Sequence, residues 1–118
     1  MADKVNLADK FAQFSAQWSP QIVARYNGNE VRLVRVEGEF TWHSHEDTDE
    51  LFLLLKGELD MEFRDRTVQL LPGEMIVVPR GTEHRPCARN GEAQLLLLDP
   101  ADTPNTGDPA TATLAVEL

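Results

Sequence analysis

The amino-acid sequence predicts an all-β protein preceded by one short helix. Two observations predict this class. Short apolar runs, many of them alternating with polar residues, follow one another from about residue 22 to residue 98, and a period of two is typical of strands with one wet face. Glycine, proline and asparagine interrupt these runs at intervals of roughly ten residues, a spacing typical of β-sandwiches and barrels.

The N-terminal stretch has a different period. From residue 2 to residue 14, apolar residues recur at helical spacing with charged residues between them, which predicts a short amphipathic helix. Ser19-Pro20 ends the pattern, because proline does not fit a helix interior. We therefore expect an N-terminal helical extension over residues 1–18.

The predicted strands begin with a hairpin. Residues 22–26 and 31–36 are β-prone, and Asn27-Gly28-Asn29 between them is a strong hairpin signal. Further strands are predicted at residues 59–63, 68–71, 75–78 and 93–98. These elements place a barrel at residues 19–99. The following residues are rich in proline, threonine and aspartate and predict an extended C-terminal tail over residues 100–118.

Two runs, residues 51–55 and 95–98, are apolar at every position. Strands of this kind have no face suited to water, whereas a barrel wall has an outside. The N-terminal helix or a second subunit must therefore cover that outside. Because one short helix covers little area, the sequence favours a homodimer.

Composition and charge narrow the class of protein. A chain of 118 residues forms one domain with a single core. The net charge of -9 repels phosphate backbones and anionic lipids, so we expect neither nucleic acid nor membrane surfaces as partners. The first ten residues lack the apolar core of a signal peptide. One cysteine forms no internal disulfide, so we expect a cytoplasmic protein.

The three histidines of the chain fall into one spacing pattern. His43 and His45 are two residues apart, so that in a strand both side chains point to the same face. Glu50 follows after a short loop, and His84 comes soon after Pro79-Arg80-Gly81, a turn able to return it to the site. Three imidazoles and one carboxylate suit divalent Fe, Mn, Ni, Cu, Co or Zn, and are too nitrogen-rich for Ca²⁺ or Mg²⁺. The predicted cofactor is one divalent transition metal.

Two segments resemble the motifs of a known family. Gly38-x4-His43-x-His45-x4-Glu50-x6-Gly57 resembles the first motif of the cupin superfamily, and Gly73-x5-Pro79-x-Gly81-x2-His84 resembles the second. The stretch between them is short, as in small single-domain bacterial cupins. The first motif has one residue fewer than usual between its glycine and first histidine, and Ala88 stands where the second usually ends in asparagine.

The resemblance implies the double-stranded β-helix of cupins, a jelly-roll barrel. It also implies that His43, His45, Glu50 and His84 are the ligands of one metal ion. Strand alternation places Phe52 and Leu54 on the interior face of Glu50. An apolar lumen around a metal suits a small, mostly neutral or aromatic ligand.

Metal binding uses every histidine of the chain. No imidazole then remains to act as general acid or base near neutral pH, so we expect the chemistry to run on the metal itself. Glu50 is the candidate catalytic residue, as a ligand that can also accept a proton. Counted alternately from His84, Cys87 faces away from the site and is predicted to be a structural thiol.

Several functions stay open at this point. The favoured one is a metal-dependent enzyme acting on a small organic molecule. Oxygenase-type chemistry, as in cupins resembling quercetin dioxygenase, stands slightly ahead of isomerase-type chemistry, as in cupins resembling phosphomannose isomerase, because an isomerase needs a proton shuttle. The alternative is a non-enzymatic module that binds or senses a metal or small ligand. A purely structural barrel is the third reading, so enzymatic activity itself stays open.

Overall fold

Within residues 2–118, the computed structural model has one helix and eight strands in a curled sheet that does not close. The predicted all-β class with a short N-terminal helix is confirmed. The elements are α1 Leu7–Phe11, β1 Gln21–Tyr26, β2 Asn29–Glu39, β3 Glu50–Lys56, β4 Leu59–Phe63, β5 Thr67–Leu70, β6 Met75–Val78, β7 His84–Pro100 and β8 Val116–Glu117.

Strand β7 pairs with three other strands of the curled sheet. Its first part pairs with β4, its second part pairs with β3, and β2 runs beside both parts. The register between β2 and β7 shifts between Val36 and Gly38, where residues 89–92 of β7 stay unpaired. Because such irregularities bend a strand, one long strand can line two sides of the lumen.

The helix is shorter than the sequence pattern predicts. It begins after Asn6, whose side chain accepts a hydrogen bond from the Asp9 backbone N–H at 3.0 Å, and it ends at Phe11. The guanidinium of Arg35 donates hydrogen bonds to the carbonyl oxygens of Phe11 and Phe14. These bonds fix the end of the helix and the residues that follow it. Tertiary contacts of this kind decide the length of a helix too short to be stable alone. Met1, the first residue of the predicted extension, lies outside the described residues.

The predicted hairpin joins β1 to β2 through a two-residue turn. Tyr26 pairs with Asn29, and Asn27 and Gly28 have φ angles of 50° and 77°, as a type I′ turn requires. At the other end of the chain, the segment predicted as a tail makes several turns after β7 and ends in β8, which pairs in parallel with β1. We call residues 101–115 the strap.

The inner and outer faces of β3 and β7 differ as strand alternation predicts. Glu50, Phe52 and Leu54 are buried, whereas Leu51 and Leu53 between them are only half-buried. The helix packs near Arg35 of β2 instead of over these leucines. The outer face of β3 therefore meets water within a single chain. None of the helices within residues 2–118 is long and apolar enough to cross a membrane.

Candidate metal centre

A backbone bridge brings the two histidine-bearing segments together. His43 and His84 exchange both of their hydrogen bonds, with N···O distances of 3.0 Å and 2.9 Å. Residues opposed in this way on adjacent strands present their side chains on the same face. Their imidazole rings lie 4.3 Å apart, centre to centre. The Gly81 N–H also donates to the His45 carbonyl at 2.8 Å, so the predicted turn anchors the third histidine.

The four predicted ligand side chains lie together and are buried. One potential ligand atom from each of His43, His45, Glu50 and His84 lies within 4.8 Å of all the others. Atoms bound at about 2.0–2.2 Å to one ion are at most ~4.4 Å apart, so only small movements separate this cluster from a coordination shell. The exposed fraction of each residue is 8% or less.

The hydrogen bonds of the imidazoles leave their other nitrogens directed at the cluster. The Nδ1 atoms of His43 and His84 lie 3.0 Å and 2.9 Å from the carbonyl oxygens of Thr41 and Thr82. A carbonyl only accepts, so each Nδ1 carries the proton and each Nε2 keeps a lone pair. Such backbone partners are typical of metal-binding histidines because they fix the tautomer and the ring orientation.

Inside the cluster, imidazole nitrogens face the Glu50 carboxylate. Among the described residues, His45 Nε2 and His84 Nε2 have no hydrogen-bond partner, although they lie 3.2 Å and 3.7 Å from Glu50 Oε1. Buried polar atoms without a hydrogen bond are costly. A cation between the lone pairs and the carboxylate removes that cost, so the residues fit a transition metal.

The local electrostatics keep the donors in their binding forms. Burial lowers the pKa of His43 to about 4; the Thr41 carbonyl opposes this shift, and the neighbouring imidazoles add to it. His43 is therefore neutral at pH 7, as a ligand must be. Burial opposes the charge on Glu50, but its neighbours His45, His84 and Asp99 outweigh burial and hold the Glu50 pKa below its ordinary value.

A mostly apolar cavity adjoins the cluster. His43 and Glu50 form part of its wall, and most of its other lining residues are aliphatic, aromatic or proline: Trp18, Pro20, Val34, Val36, Phe40, Phe52, Pro86, Leu95 and Leu97. Trp18 stacks on Phe40 at 4.7 Å, and Phe40 meets the edge of His43 at 5.3 Å. The cavity is small, with a volume of ≈ 40 Å³, against ~150 Å³ for a cavity that binds benzene.

Comparisons with known proteins agree with this geometry. The family model described as "Cupin domain" matches residues 30–99, more than half of the chain. The chain belongs to the cupin family. A crystal structure of a cupin-2 domain containing protein from Shewanella frigidimarina is 45% identical, with a TM-score of 0.80 over 81% of this chain and 93% of that one.

Two further proteins resemble this cupin. It is 40% identical over 78 residues to the uncharacterized protein YdbB of Bacillus subtilis; the match covers 65% of this chain and 63% of the relative's length. A hydroquinone 1,2-dioxygenase, PnpCD, solved with Cd²⁺ and 4-hydroxybenzonitrile, is 20% identical, with a TM-score of 0.69 over 92% of this chain and 74% of that one. At that identity the likeness shows the fold alone.

Two charged residues of this cupin's cavity are absent from the sequence prediction. Asp99 at the end of β7 is fully buried, and Arg32 of β2 is 2% exposed. Burial is the main reason that the pKa of Asp99 rises to about 9, and the charge of the adjacent Glu50 adds to it. The sequence signal for both residues is their place in the strand alternation. Arg32 falls on the same inner face as Val34 and Val36, and Asp99 falls on the same face as Leu95 and Leu97.

The strap lies beside the metal-binding segment. Asn105 lines the cavity, and the Thr103 carbonyl accepts a hydrogen bond from Arg32 at 2.9 Å. Gly107 has a φ of +75°, and a Cβ built there would overlap the carbonyl oxygen of Ser44. Only glycine therefore fits where the strap touches the backbone between His43 and His45.

Cys87 and the acidic residues before β3 lie outside the cluster of predicted metal ligands. Cys87 is fully buried, and burial raises the pKa of its thiol, as expected of an inert structural cysteine. Glu46, Asp47 and Asp49 are exposed, and Asp49 accepts a hydrogen bond from the Arg80 backbone at 2.9 Å. The acidic cluster is thus a solvated loop beside the site.

Proposed function

We propose that this cupin is a mononuclear metal enzyme that acts on a small organic molecule, with oxygenase-type chemistry favoured. The observation that carries the proposal is the convergence of four buried donor atoms beside an apolar cavity, whose wall includes His43 and Glu50. A divalent iron, manganese, nickel, copper, cobalt or zinc ion fits this donor set. When bound, such an ion supplies a Lewis acid and, where it is redox-active, the means to activate oxygen.

The chain's own residues then have distinct roles. We assign His43, His45, Glu50 and His84 as the metal ligands, with Thr41 and Thr82 carbonyls fixing two of the rings. Trp18, Phe40 and Phe52 exclude water and favour a flat or apolar substrate. Glu50 is the proposed proton acceptor, because it is the ionised carboxylate on the cavity wall.

The cavity supports oxygenase-type over isomerase-type chemistry. A sugar carries many hydroxyl groups, each of which needs a hydrogen-bond partner once buried. Most residues around this cavity are apolar, and its volume is small. An isomerase needs a group that carries a proton, and Asp99 can serve as one. Asp99 supplies only one polar partner, however, for the many hydroxyl groups of a sugar. Small phenols, which are flat and carry few polar groups, suit these walls and are the first substrates to try.

Turnover measurements test the proposal. The chain, loaded in turn with Fe²⁺, Mn²⁺, Ni²⁺, Cu²⁺, Co²⁺ and Zn²⁺, is mixed with a panel of small phenols while dissolved oxygen is recorded, and separately with aldoses while ketose formation is recorded. We expect oxygen uptake with a redox-active ion, lost in His84→Ala and kept in Glu46→Gln. Ligand binding without uptake or isomerisation would favour the non-enzymatic binding module instead.

We also propose a homodimer formed through the outer face of β3, β6 and β7. Leu51 pairs with Leu98 and Val77, and Leu53 pairs with Leu96 and Met75. Directly paired residues share a face, so the six side chains form one apolar patch. Met75 is 58% and Val77 is 47% exposed, which is unusual for a strand face without a partner. Light scattering should give about 26 kDa, twice the 13.2 kDa of one chain.

We place the protein in the cytoplasm. Its one cysteine is buried and free, which agrees with a compartment in which thiols stay reduced. Cell fractionation with an antibody against the chain tests this location, and recovery outside the cytosolic fraction would contradict it.

A further inference from the structure

The cavity has a second polar group, separate from the four proposed metal ligands. Asp99 is fully buried, lines the cavity, and has no hydrogen-bond partner for either carboxyl oxygen among the described residues. Buried carboxyl groups are normally hydrogen-bonded, and the charged groups next to this one are the carboxylate of Glu50 and, at 3.8 Å, the guanidinium of Arg32. An unpartnered group on the wall of a cavity is suited to receive a polar group of a ligand.

Arg32 lies beside Asp99 and keeps hydrogen-bonding capacity. Its Nε and Nη2 donate to Glu30 Oε1 at 3.0 Å and 2.6 Å, and its Nη1 donates to the Thr103 carbonyl at 2.9 Å. A guanidinium has five N–H donors, so two remain. Arg32 Nη1 is 3.8 Å from Asp99 Oδ2, which is too long for a direct hydrogen bond and leaves a place where one atom can contact both groups.

We propose that Asp99 and Arg32 recognise a hydroxyl group on a small, otherwise apolar ligand bound beside the metal centre. A hydroxyl group both donates and accepts, so it can donate to an Asp99 oxygen while it accepts from a free N–H of Arg32. The inference rests on the proposed function and specifies its substrate class as a small phenol or alcohol.

The charges around the pair argue against other polar groups. Asp99, Glu50 and Glu30 place three carboxyl groups near a single guanidinium. A ligand carboxylate or phosphate would meet that acidic set in a dry interior, where an unpaired charge is most costly. An ammonium group would lie close to Arg32 and needs three acceptors. The neutral hydroxyl fits both the charge and the number of free sites.

The size and shape of the cavity limit the body of the ligand. The cavity volume of ≈ 40 Å³ is well below the ~150 Å³ of a cavity that binds benzene, so it can enclose only part of a six-membered ring. The stacked pair of Trp18 and Phe40, with Phe52, gives flat apolar walls. A hydroxyl group on a body no larger than one ring therefore suits these walls.

Paired probes that differ in one group test the inference on the full chain. Phenol and toluene have nearly the same shape, and only phenol carries the hydroxyl. Nuclear magnetic resonance titrations measure both dissociation constants with and without one equivalent of Zn²⁺, which is not redox-active. We expect phenol to bind about tenfold more tightly or better, because toluene leaves the buried pair unmatched. Cyclohexanol, run beside methylcyclohexane, shows whether an alcohol is recognised as well as a phenol.

Variants then assign the preference to Asp99. Asp99→Leu should bring the phenol-to-toluene ratio to about one, whereas Asp99→Asn, which keeps a donor and an acceptor, should retain the preference. Asp60→Leu removes a half-buried carboxylate of β4 outside the cavity and should change nothing. A preference that survives in Asp99→Leu would overturn the inference and reduce Asp99 to a neighbour of Glu50. Equal binding of phenol and toluene to the unmodified chain would also overturn it, whether or not any variant folds.

The two forms of the chain separate this inference from the proposed function. A hydroxyl preference that is present with and without Zn²⁺, in a chain that shows no turnover, supports the recognition site and contradicts the enzyme. One equivalent of bound metal together with no hydroxyl preference in either form contradicts the recognition site alone.

Discussion

The inner and outer faces of β3 and β7 are built from alternate residues of the same strands and differ in character. The inner face carries Glu50 and Asp99 into the protein interior, where their side chains are 3% and 0% exposed. The outer face leaves Leu51, Leu53 and their paired neighbours only half-covered. Charge lies where water is excluded, and apolar surface lies where water has access.

Each face has a feature that a binding partner would stabilise. A buried carboxylate is costly unless a cation or hydrogen bonds compensate it, and three imidazoles beside Glu50 supply the other donors of a metal site. An exposed apolar strand face is a weakness unless another chain covers it. We therefore propose that the inner face binds an ion and a small ligand, and that the outer face binds a second copy of the chain.

Truncating neighbouring leucines on opposite faces should have the largest effect. Leu54→Ala removes a fully buried side chain and should lower the free energy of unfolding by about 2–5 kcal/mol. Leu53→Ala, on the outer face, should cost less than Leu54→Ala, and its effect should depend on protein concentration. Urea denaturation at several concentrations measures both. An equal, concentration-independent loss in Leu53→Ala would mean that the same chain covers the outer face.

Removing the charge of Glu50 should have the second-largest effect. Glu50→Gln keeps the shape of the side chain but should weaken Zn²⁺ binding by about 100-fold or more, roughly 2.7 kcal/mol, because the anionic donor is lost. Competition against a chromophoric chelator gives the affinity. Glu46→Gln removes an exposed charge beside the site and should leave the affinity nearly unchanged. Similar losses in both variants would mean that the general negative field, and not coordination by Glu50, attracts the ion.

The strap offers a smaller perturbation at the edge of the inner face. Gly107→Ala should detach residues 101–115 from Ser44, because the new methyl group overlaps a backbone oxygen and the φ of +75° disfavours alanine. We expect amide hydrogen exchange in the strap to accelerate by about tenfold or more. Gly73→Ala is the matched control, with a φ of +87° and no atom within 4 Å of the added carbon. Equal acceleration in the strap of both variants would rule out the contact with Ser44 as the cause.

The outer face is tested with little change in the stability of one chain. Val77→Glu places a charge within the apolar patch and should convert a 26 kDa particle into one near 13.2 kDa, while the free energy of unfolding of the chain itself changes by about 0.5 kcal/mol or less, as is usual for an exposed substitution. Thr67→Glu, on exposed β5, should leave the mass unchanged. A dimer that persists in Val77→Glu would place the interface elsewhere.

Much of the fold could be predicted from local patterns. The Asn27-Gly28 turn specifies its hairpin because both residues accept positive φ, and the alternation of residues 59–63 matches the burial of β4. The first half of β7 is absent from the predicted strands because Asn90-Gly91 separates it from residues 93–98, although Pro86 pairs with Met61 inside the sheet.

The candidate site was predictable only where spacing carries the information. Histidines two residues apart on one strand and a turn before His84 are visible in the sequence, and the structure brings these side chains together. Asp99 and Arg32 were not singled out, because a charged residue at a strand end is usually exposed and only the three-dimensional path of β7 and the strap buries them. The size of the lumen likewise depends on packing between segments distant in sequence.

Elemental analysis of the purified protein tests the central claim most directly. The chain and a His43→Ala, His45→Ala double variant are purified side by side, reconstituted with each divalent transition metal, and desalted before measurement. We predict close to one equivalent of metal per wild-type chain and almost none in the variant, because two of the four converging donors are removed. Wild-type protein that holds no metal after reconstitution, or a double variant that holds as much as the wild type, would contradict the account.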